Sequence, residues 1–210
     1  MSKGYAGKVL RIDVSDGSYR TEPLDMDEAR LYIGGRGFNA ARLYKEVPAG
    51  TDPMGPDNKL MVATGPLVGT MFPTASRFNV SARSPLTGIF GDTNAGGHLA
   101  PEMKFAGYDQ IIVEGKADKP SYVSIRDDVV EVRDADGIWG SSVFEADIGI
   151  KRQLKDQWTQ TLICGPAAEN GVKYAGLFAN QVRAAARTGM GTVMASKNIK
   201  AMAVRGTGSI

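Results

Sequence analysis

Short apolar strands that stop at glycine set the tightest limit on how this chain can fold. Residues 60–64 run into Gly65-Pro66, residues 110–114 end at Gly115, and residues 161–164 run into Gly165-Pro166. Each reads as a strand, because a run of four or five apolar residues closed by a breaker is too short for a helix. Glycine supplies 26 of the 210 residues, well above the typical ~7%. It serves positions with positive φ or close backbone approach. The chain therefore has many tight turns, a backbone that lies against a ligand, or both.

The remaining pattern fills in around these stops. Residues 8–14 alternate as a strand, and 19–23 return antiparallel across Asp16-Gly17. Helices are predicted over 27–33, 38–46, 98–105 (with Pro101 in the first turn) and 144–155. Residues 78–82, 173–179 and 199–204 read as strands, and 122–125 with 129–132 as a hairpin around Asp127-Asp128. Residues 183–191 read as a loop entering a helix. Strands joined by short turns favour an α+β fold with mostly antiparallel pairing over a doubly wound parallel sheet. No linker or charge run divides the chain, so 1–210 is taken as a single domain.

A weak internal repeat runs through this order. Leu60 to Pro66 resembles Leu162 to Pro166, and Gly107 to Gly115 resembles Asn198 to Gly206. Strand-then-glycine is common, so chance accounts for the likeness as well as descent does. If the repeat is real, the two halves pack about a pseudo-two-fold axis and their glycine-rich loops can face one ligand with two similar ends.

Composition excludes several classes. A formal charge of +2 gives no general reason to expect a nucleic-acid or membrane partner. One cysteine, Cys164, and one histidine, His98, exclude a multi-Cys or multi-His metal site within the chain. Cys164 closes an apolar strand and reads as a buried structural thiol. His98 and Glu102 stand four apart, but two ligands are too few for a stable site. The start of the chain carries Lys3 and Lys8 without an apolar core, and no run approaches the ~20 apolar residues of a membrane span. A cytoplasmic location is expected.

Three segments could carry chemistry. In Pro73-Thr74-Ala75-Ser76-Arg77, an arginine at a strand entrance offers a bidentate fork to phosphate, although a plain surface arginine is the commoner outcome. In Asn94-Ala95-Gly96-Gly97, backbone N–H groups are open to an anion, although an ordinary capped helix has the same look. Arg183-Ala184-Ala185-Ala186-Arg187 joins two cations to small residues; its blander reading is a helix with a basic face. Together they suggest a polyanion lying on backbone and arginines. Arg183 and Arg187, four apart, are expected on one helix face, with Arg183 the stronger anion contact and Arg187 paired to acids. Gly34-Gly35-Arg36-Gly37 lacks the wider pattern of a dinucleotide-binding turn.

The same segments, with Ala63 to Thr70, Ser84 to Gly88, Glu102 to Lys116 and Arg183 to Asn198, resemble the N-terminal domain of the aldehyde:ferredoxin oxidoreductase family, in order and over essentially the whole chain. The resemblance implies two pseudo-symmetric halves of mostly antiparallel sheet with flanking helices, forming a cradle for a bis-pyranopterin cofactor that holds tungsten or, less often, molybdenum. It implies cofactor contacts at Arg77, Asn94, Gly96, Arg183, Ala184 and Ala186. It also implies magnesium between the pterin phosphates, on the backbone carbonyls of Asn94 and Ala184. The [4Fe-4S] cluster and proton-handling residues would belong to other domains or subunits, so no catalytic residue is assigned here and the chain alone is expected to be inactive. The family activity would be oxidation of an aldehyde to a carboxylate with electrons passing to ferredoxin. The alternative is a non-catalytic pterin carrier or assembly module. A chain closing near Ile210 could be an excised domain, a split subunit or a relict, and a homo-oligomer is possible. Where some relatives carry glycine, this chain has Ala186 and Thr188, which implies a stiffer loop.

Overall fold

The fold comes from a computed structural model in which residues 4–210 are described; Lys3 lies outside them. The first half runs β1 (Lys8–Asp13), β2 (Tyr19–Pro23), α1 (Met26–Tyr32), α2 (Arg36–Glu46), β3 (Leu60–Thr64), β4 (Phe78–Arg83), β5 (Phe90–Ala95), α3 (Leu99–Phe105) and β6 (Gln110–Glu114). The second half runs β7 (Ser121–Arg126), β8 (Val129–Asp134), α4 (Val143–Leu154), β9 (Gln160–Cys164), α5 (Pro166–Glu169), β10 (Leu177–Ala179), β11 (Arg183–Ala185), α6 (Met190–Ser196) and β12 (Ile199–Arg205).

The two halves share one topology. The first sheet is ordered β2-β1-β6-β3-β4-β5 and the second, read from its other edge, β8-β7-β12-β9-β10-β11. In each sheet one pair is parallel, β1 with β6 and β7 with β12, and the other pairs are antiparallel. The internal repeat is therefore structural. The packing is reciprocal as well: α3 reaches β9 and β12 of the other half, and α6 reaches β3, β4 and β5. Such exchange of like contacts is what a two-fold relation produces.

Layering explains the hydrophobic pattern. Helices α3 and α6 lie between the sheets in the main core, with Leu99, Met103, Met190 and Val193 among Leu10, Val62, Val80, Leu162 and Met202. Helices α1 and α2 cover the outside of the first sheet, setting Ala29 and Phe38 on Val9, Met61 and Ile112. Helix α4 does the same for the second, with Ala146 and Ile150 on Tyr122, Ile163 and Ala201. Strand β3, covered on both faces, is buried at every residue, whereas edge strand β2 is largely exposed. A fully buried Leu, Ile or Met contributes roughly 1.5–3 kcal/mol, so a one-residue slip of β3 would be costly. Local signals fix the outer helices. The Asp25 carboxylate accepts from the N–H groups of Asp27 and Glu28, and Ser142 forms a capping box with Glu145.

Three expectations need correction. Strand β5 was not anticipated, because Gly91-Asp92-Thr93-Asn94 has turn chemistry; six backbone pairs with β4 override it. The strand expected over 173–179 is shortened to β10, its first half being a turn, and α5 precedes it. The loop at 183–191 opens with strand β11, and its helix begins only at Met190, after Gly189 in the left-handed region at φ 79°. Among the described residues no helix is long and apolar enough to cross a membrane.

Candidate functional site

Edge strands β5 and β11 meet at a seam between the sheets. The Arg187 N–H donates to Thr93 Oγ1 at 3.2 Å, Thr188 Oγ1 to the Asp92 carbonyl at 3.2 Å, and Ser84 Oγ to the Thr188 carbonyl at 2.7 Å. The seam is thus stitched by short polar side chains and backbone.

Register identifies equivalent positions across it. Asn94 pairs with Asn79, which pairs with Ala63 one residue before Thr64-Gly65-Pro66. Ala184 pairs with Phe178, which pairs with Ile163 one residue before Cys164-Gly165-Pro166. Asn94 and Ala184 therefore occupy the same place in the two halves, as do Gly96 and Ala186. Both strands are sheet edges, so half of their backbone polar groups face away from any ladder.

Two grooves converge here. One, of about 440 Å³, is lined by Gly34, Gly35, Pro66, Leu67, Phe72, Thr74, Arg77 and Asn94. The other, of about 580 Å³, is lined by Arg36, Asp92, Thr93, Asn94, Ala184, Ala186 and Arg187. Asn94 belongs to both. At Gly34, with φ 153°, an added Cβ would lie 2.7 Å from the Thr64 carbonyl oxygen, so the wall of the first groove requires glycine there. At Gly97, with φ 108°, it would lie 3.2 Å from Arg183 Cγ, because the Arg183 stem crosses the seam onto this glycine.

The expected contacts are thus only partly joined. Arg77 shares the first groove with Asn94; Ala184 and Ala186 share the second with Asn94; Arg183 and Gly96 sit beside them, at the start of β11 and just past the end of β5. Arg77, Arg183 and Arg187 are exposed and form no ion pair among the described residues, while Arg36 stands 3.7 Å from the Asp92 carboxylate. The cationic surplus matches an anion held at several points. The helix-face expectation for Arg183 and Arg187 fails, since Arg183 is in β11 and Arg187 in the turn before α6. Thr188 and Thr74 both have φ of 60°, an unusual backbone for a β-branched residue, and the Thr188 hydrogen bonds across the seam hold it there.

Sequence reasoning missed the polar support beneath Asn94. Asn79 Nδ2 donates to Asn94 Oδ1 at 3.2 Å, Asn39 Nδ2 to Asn79 Oδ1 at 2.8 Å, and Gln110 Nε2 to Asn39 Oδ1 at 2.9 Å. Asn39, Asn79 and Gln110 are buried, and such a satisfied chain fixes its members in place. Asn39 on the buried face of predicted helix 38–46 was the signal available.

The remaining candidates resolve simply. His98 is exposed at the N-cap of α3, and Glu102 accepts from Arg205 at 2.7 Å and from the Gly206 N–H at 2.9 Å. No group of three His, Cys, Asp or Glu that could hold a metal occurs among the described residues. Cys164 is fully buried, its thiol donating toward the Ile199 and Lys200 carbonyls, and burial pushes its pKa up to about 12.

Comparison with known proteins places this geometry. The model of the aldehyde ferredoxin oxidoreductase N-terminal domain matches residues 9–206. A tungsten-containing aldehyde ferredoxin oxidoreductase of Pyrococcus horikoshii is 48% identical over 203 residues, which is 97% of this chain and 33% of that protein. The WOR-like subunit of an aliphatic sulfonate oxidoreductase of Pyrococcus furiosus is 34% identical, over 98% of this chain and 35% of that protein. Among solved structures, the active site complex BamBC of benzoyl coenzyme A reductase, in complex with 1,5-dienoyl-CoA, superposes with a TM-score of 0.97 at 38% identity, over all of this chain and 32% of that chain. The chain spans about a third of the length of the curated relatives it matches.

Proposed function

From the premise that this chain belongs to the aldehyde ferredoxin oxidoreductase family, as its N-terminal domain, we propose that the seam is one wall of a tungsten bis-pyranopterin site. The observation that carries this reading is the equivalence of two edge-strand positions, Asn94 and Ala184, beside three arginines that form no ion pair among the described residues. A ligand with two like phosphate-bearing ends suits a wall with two like halves. Arg77 and Arg183 would hold phosphate oxygens by charge-assisted hydrogen bonds, and Gly96 and Ala186 would admit the ligand close to backbone. The backbone carbonyls of Asn94 and Ala184 would take magnesium between the phosphates, since hard oxygen donors suit that ion.

When bound, the tungsten or molybdenum held by dithiolene sulfurs supplies the two-electron chemistry of a carbonyl substrate. This chain binds and orients the group. The network from Gln110 through Asn39 and Asn79 would orient the Asn94 side chain, and the exposed apolar surface of Leu67 and Phe72 would lie against the bound group. Other domains or subunits would supply the [4Fe-4S] cluster, the substrate pocket and the route to ferredoxin, with an aldehyde as the default substrate and the cytoplasm as the compartment. Cys164, buried and bonded to backbone, is unsuited to hold a cluster.

The test is metal and pterin analysis of protein isolated from a tungsten-supplied host. Stoichiometric tungsten with two pterins per metal is expected, strongly reduced by Arg77→Ala combined with Arg183→Ala, and without aldehyde-dependent dye reduction by the chain alone. Retention of the cofactor by the double variant would overturn the assignment of these arginines. Turnover by the chain alone would overturn its role as a partial site.

A further inference from the structure

The two halves differ in charge at one pair of equivalent places on their outer faces. In the first, the buried Arg11 donates from Nε to Glu22 at 2.8 Å and from Nη1 to Glu46 at 2.8 Å, with Glu114 at 3.8 Å. Lys59 adds contacts to Glu46 at 2.7 Å and Glu114 at 3.1 Å. Arg11 pairs with Ile112 on β6, and its counterpart Ser124 pairs with Ala203 on β12. The same registers match Asp13 with Arg126, Glu22 with Arg133, Glu114 with Arg205 and Lys59 with Thr159. Three carboxylates thus become three arginines, and the central guanidinium becomes a short hydroxyl.

Space opens as a result. A cavity of about 310 Å³ is lined by Ser124, Arg126, Arg133, Thr159 and Arg205, with Glu131 and Asp156 at its wall and Val129 and Leu154 as apolar surface. Its volume is at the small end of ligand pockets, which run from roughly 300 Å³ upward. Ser124 and Thr159 are only 7% and 2% exposed, yet neither hydroxyl hydrogen-bonds to any group among the described residues. Neither hydroxyl oxygen is sealed off, so both open onto the cavity and can donate to a group bound there. The Arg126 side chain is exposed and has no ion pair among the described residues. Glu131 takes Nε and Nη2 of Arg133, which also reaches the Tyr122 hydroxyl, and Glu102 and Asp156 take Nη1 and Nε of Arg205, whose Nη2 makes no hydrogen bond among the described residues.

We propose that this cavity binds a small organic anion: a carboxylate or phosphate head among the three arginines and two hydroxyls, on an apolar body against Val129 and Leu154. It lies on β7, β8 and β12, at the opposite side of the sheet from the β11 seam, and stands independently of the pterin reading.

The experiment is an amide NMR titration of the 210-residue chain with benzoate and with inorganic phosphate. Benzoate is expected to shift Ser124, Arg126 and Thr159 saturably in the millimolar range, about −4 kcal/mol or better. Phosphate should move the same signals with lower affinity, having no apolar body. Arg126→Ala, at an exposed position, should weaken benzoate about tenfold, a single charge-assisted bond's worth. Ser124→Arg, which fills the cavity with a long side chain, should abolish binding while distant resonances stay in place. Absence of saturable shifts with either probe overturns the proposal, as do shifts that survive Arg126→Ala undiminished. Saturation by phosphate with none by benzoate would overturn the organic ligand and leave only an oxyanion site.

Discussion

Beneath β5 lies Asn79, hydrogen-bonded through Asn39 to Gln110; beneath β11, at the equivalent place, lies the partly buried Phe178. On the outer faces Arg11 sits in a nest of carboxylates, where Ser124 sits in a cavity edged by arginines. The backbones of the halves agree and their side chains do not. Ladder hydrogen bonds are indifferent to side-chain identity, so a duplicated sheet order persists while charges invert around it. At the seam the two halves need only small residues and backbone, and there Asn94 and Ala184 remain equivalent.

The largest expected difference is at the outer charges. Arg11→Ala should cost about 3–5 kcal/mol, because it leaves buried carboxylates without their cation, read as a shift in the urea midpoint. The acid limb follows from the same cluster. Glu46 has its pKa lowered to about 2 from 4.5, with burial opposing and the Arg11 and Lys59 contacts prevailing. A depressed carboxylate pKa stabilises the fold above 4.5, and that contribution is lost as pH falls toward 2. Urea midpoints measured between pH 5 and pH 2 should therefore drop more steeply in the native chain than in Arg11→Ala; parallel curves would mean the cluster is not coupled to folding.

At the seam, pyrophosphate titrations should weaken by roughly tenfold in Arg183→Ala and by a comparable factor in Arg187→Ala, each removing one charge-assisted contact. Comparable losses are expected because Arg187 lines the groove and pairs with no acid among the described residues. A loss confined to Arg183 would show that the halves meet the anion unequally.

A separate effect is expected at Lys197, whose ammonium spans the halves to the Pro56 and Gly115 carbonyls and whose pKa burial lowers to about 8. A lysine pKa depressed in the folded state destabilises the fold below 8, and the penalty fades as pH rises toward 10.5. Stability should gain from this group between pH 8 and 10, and Lys197→Met should remove that gain. Smallest is Ser124→Ala, expected to change stability by less than about 0.5 kcal/mol, since the hydroxyl it deletes opens onto the cavity and bonds to no group among the described residues. Against the loss at Arg11, that number measures how far the equivalent positions have diverged.

Much of this was legible in the residues. The runs at 60–64 and 110–114 match β3 and β6 end to end because both strands are covered on two faces and have apolar centres closed by glycine. The repeat showed in the Gly-Pro stops that recur after β3 and β9. Strand β5 did not, because Gly91-Asp92-Thr93-Asn94 looks like a turn until β4 supplies its ladder. The start of α6 was misplaced for a similar reason: Arg183-Ala184-Ala185 has helix propensity, and only pairing with β10 makes it a strand.

What the sequence alone determined was the α+β class, the strands that end at glycine, the buried thiol and the segments bearing Arg77, Asn94 and Arg183. These depend on periodicity, breakers and residue chemistry, all of which act within a few positions along the chain. The tertiary structure decided that β5 and β11 meet, that Asn94 and Ala184 are equivalent, that Arg187 joins them, and that Ser124 opens a cavity where Arg11 closes one. Each of those depends on which strands pair and in what register, a choice made by packing two sheets about two shared helices and recorded in no single stretch of the chain.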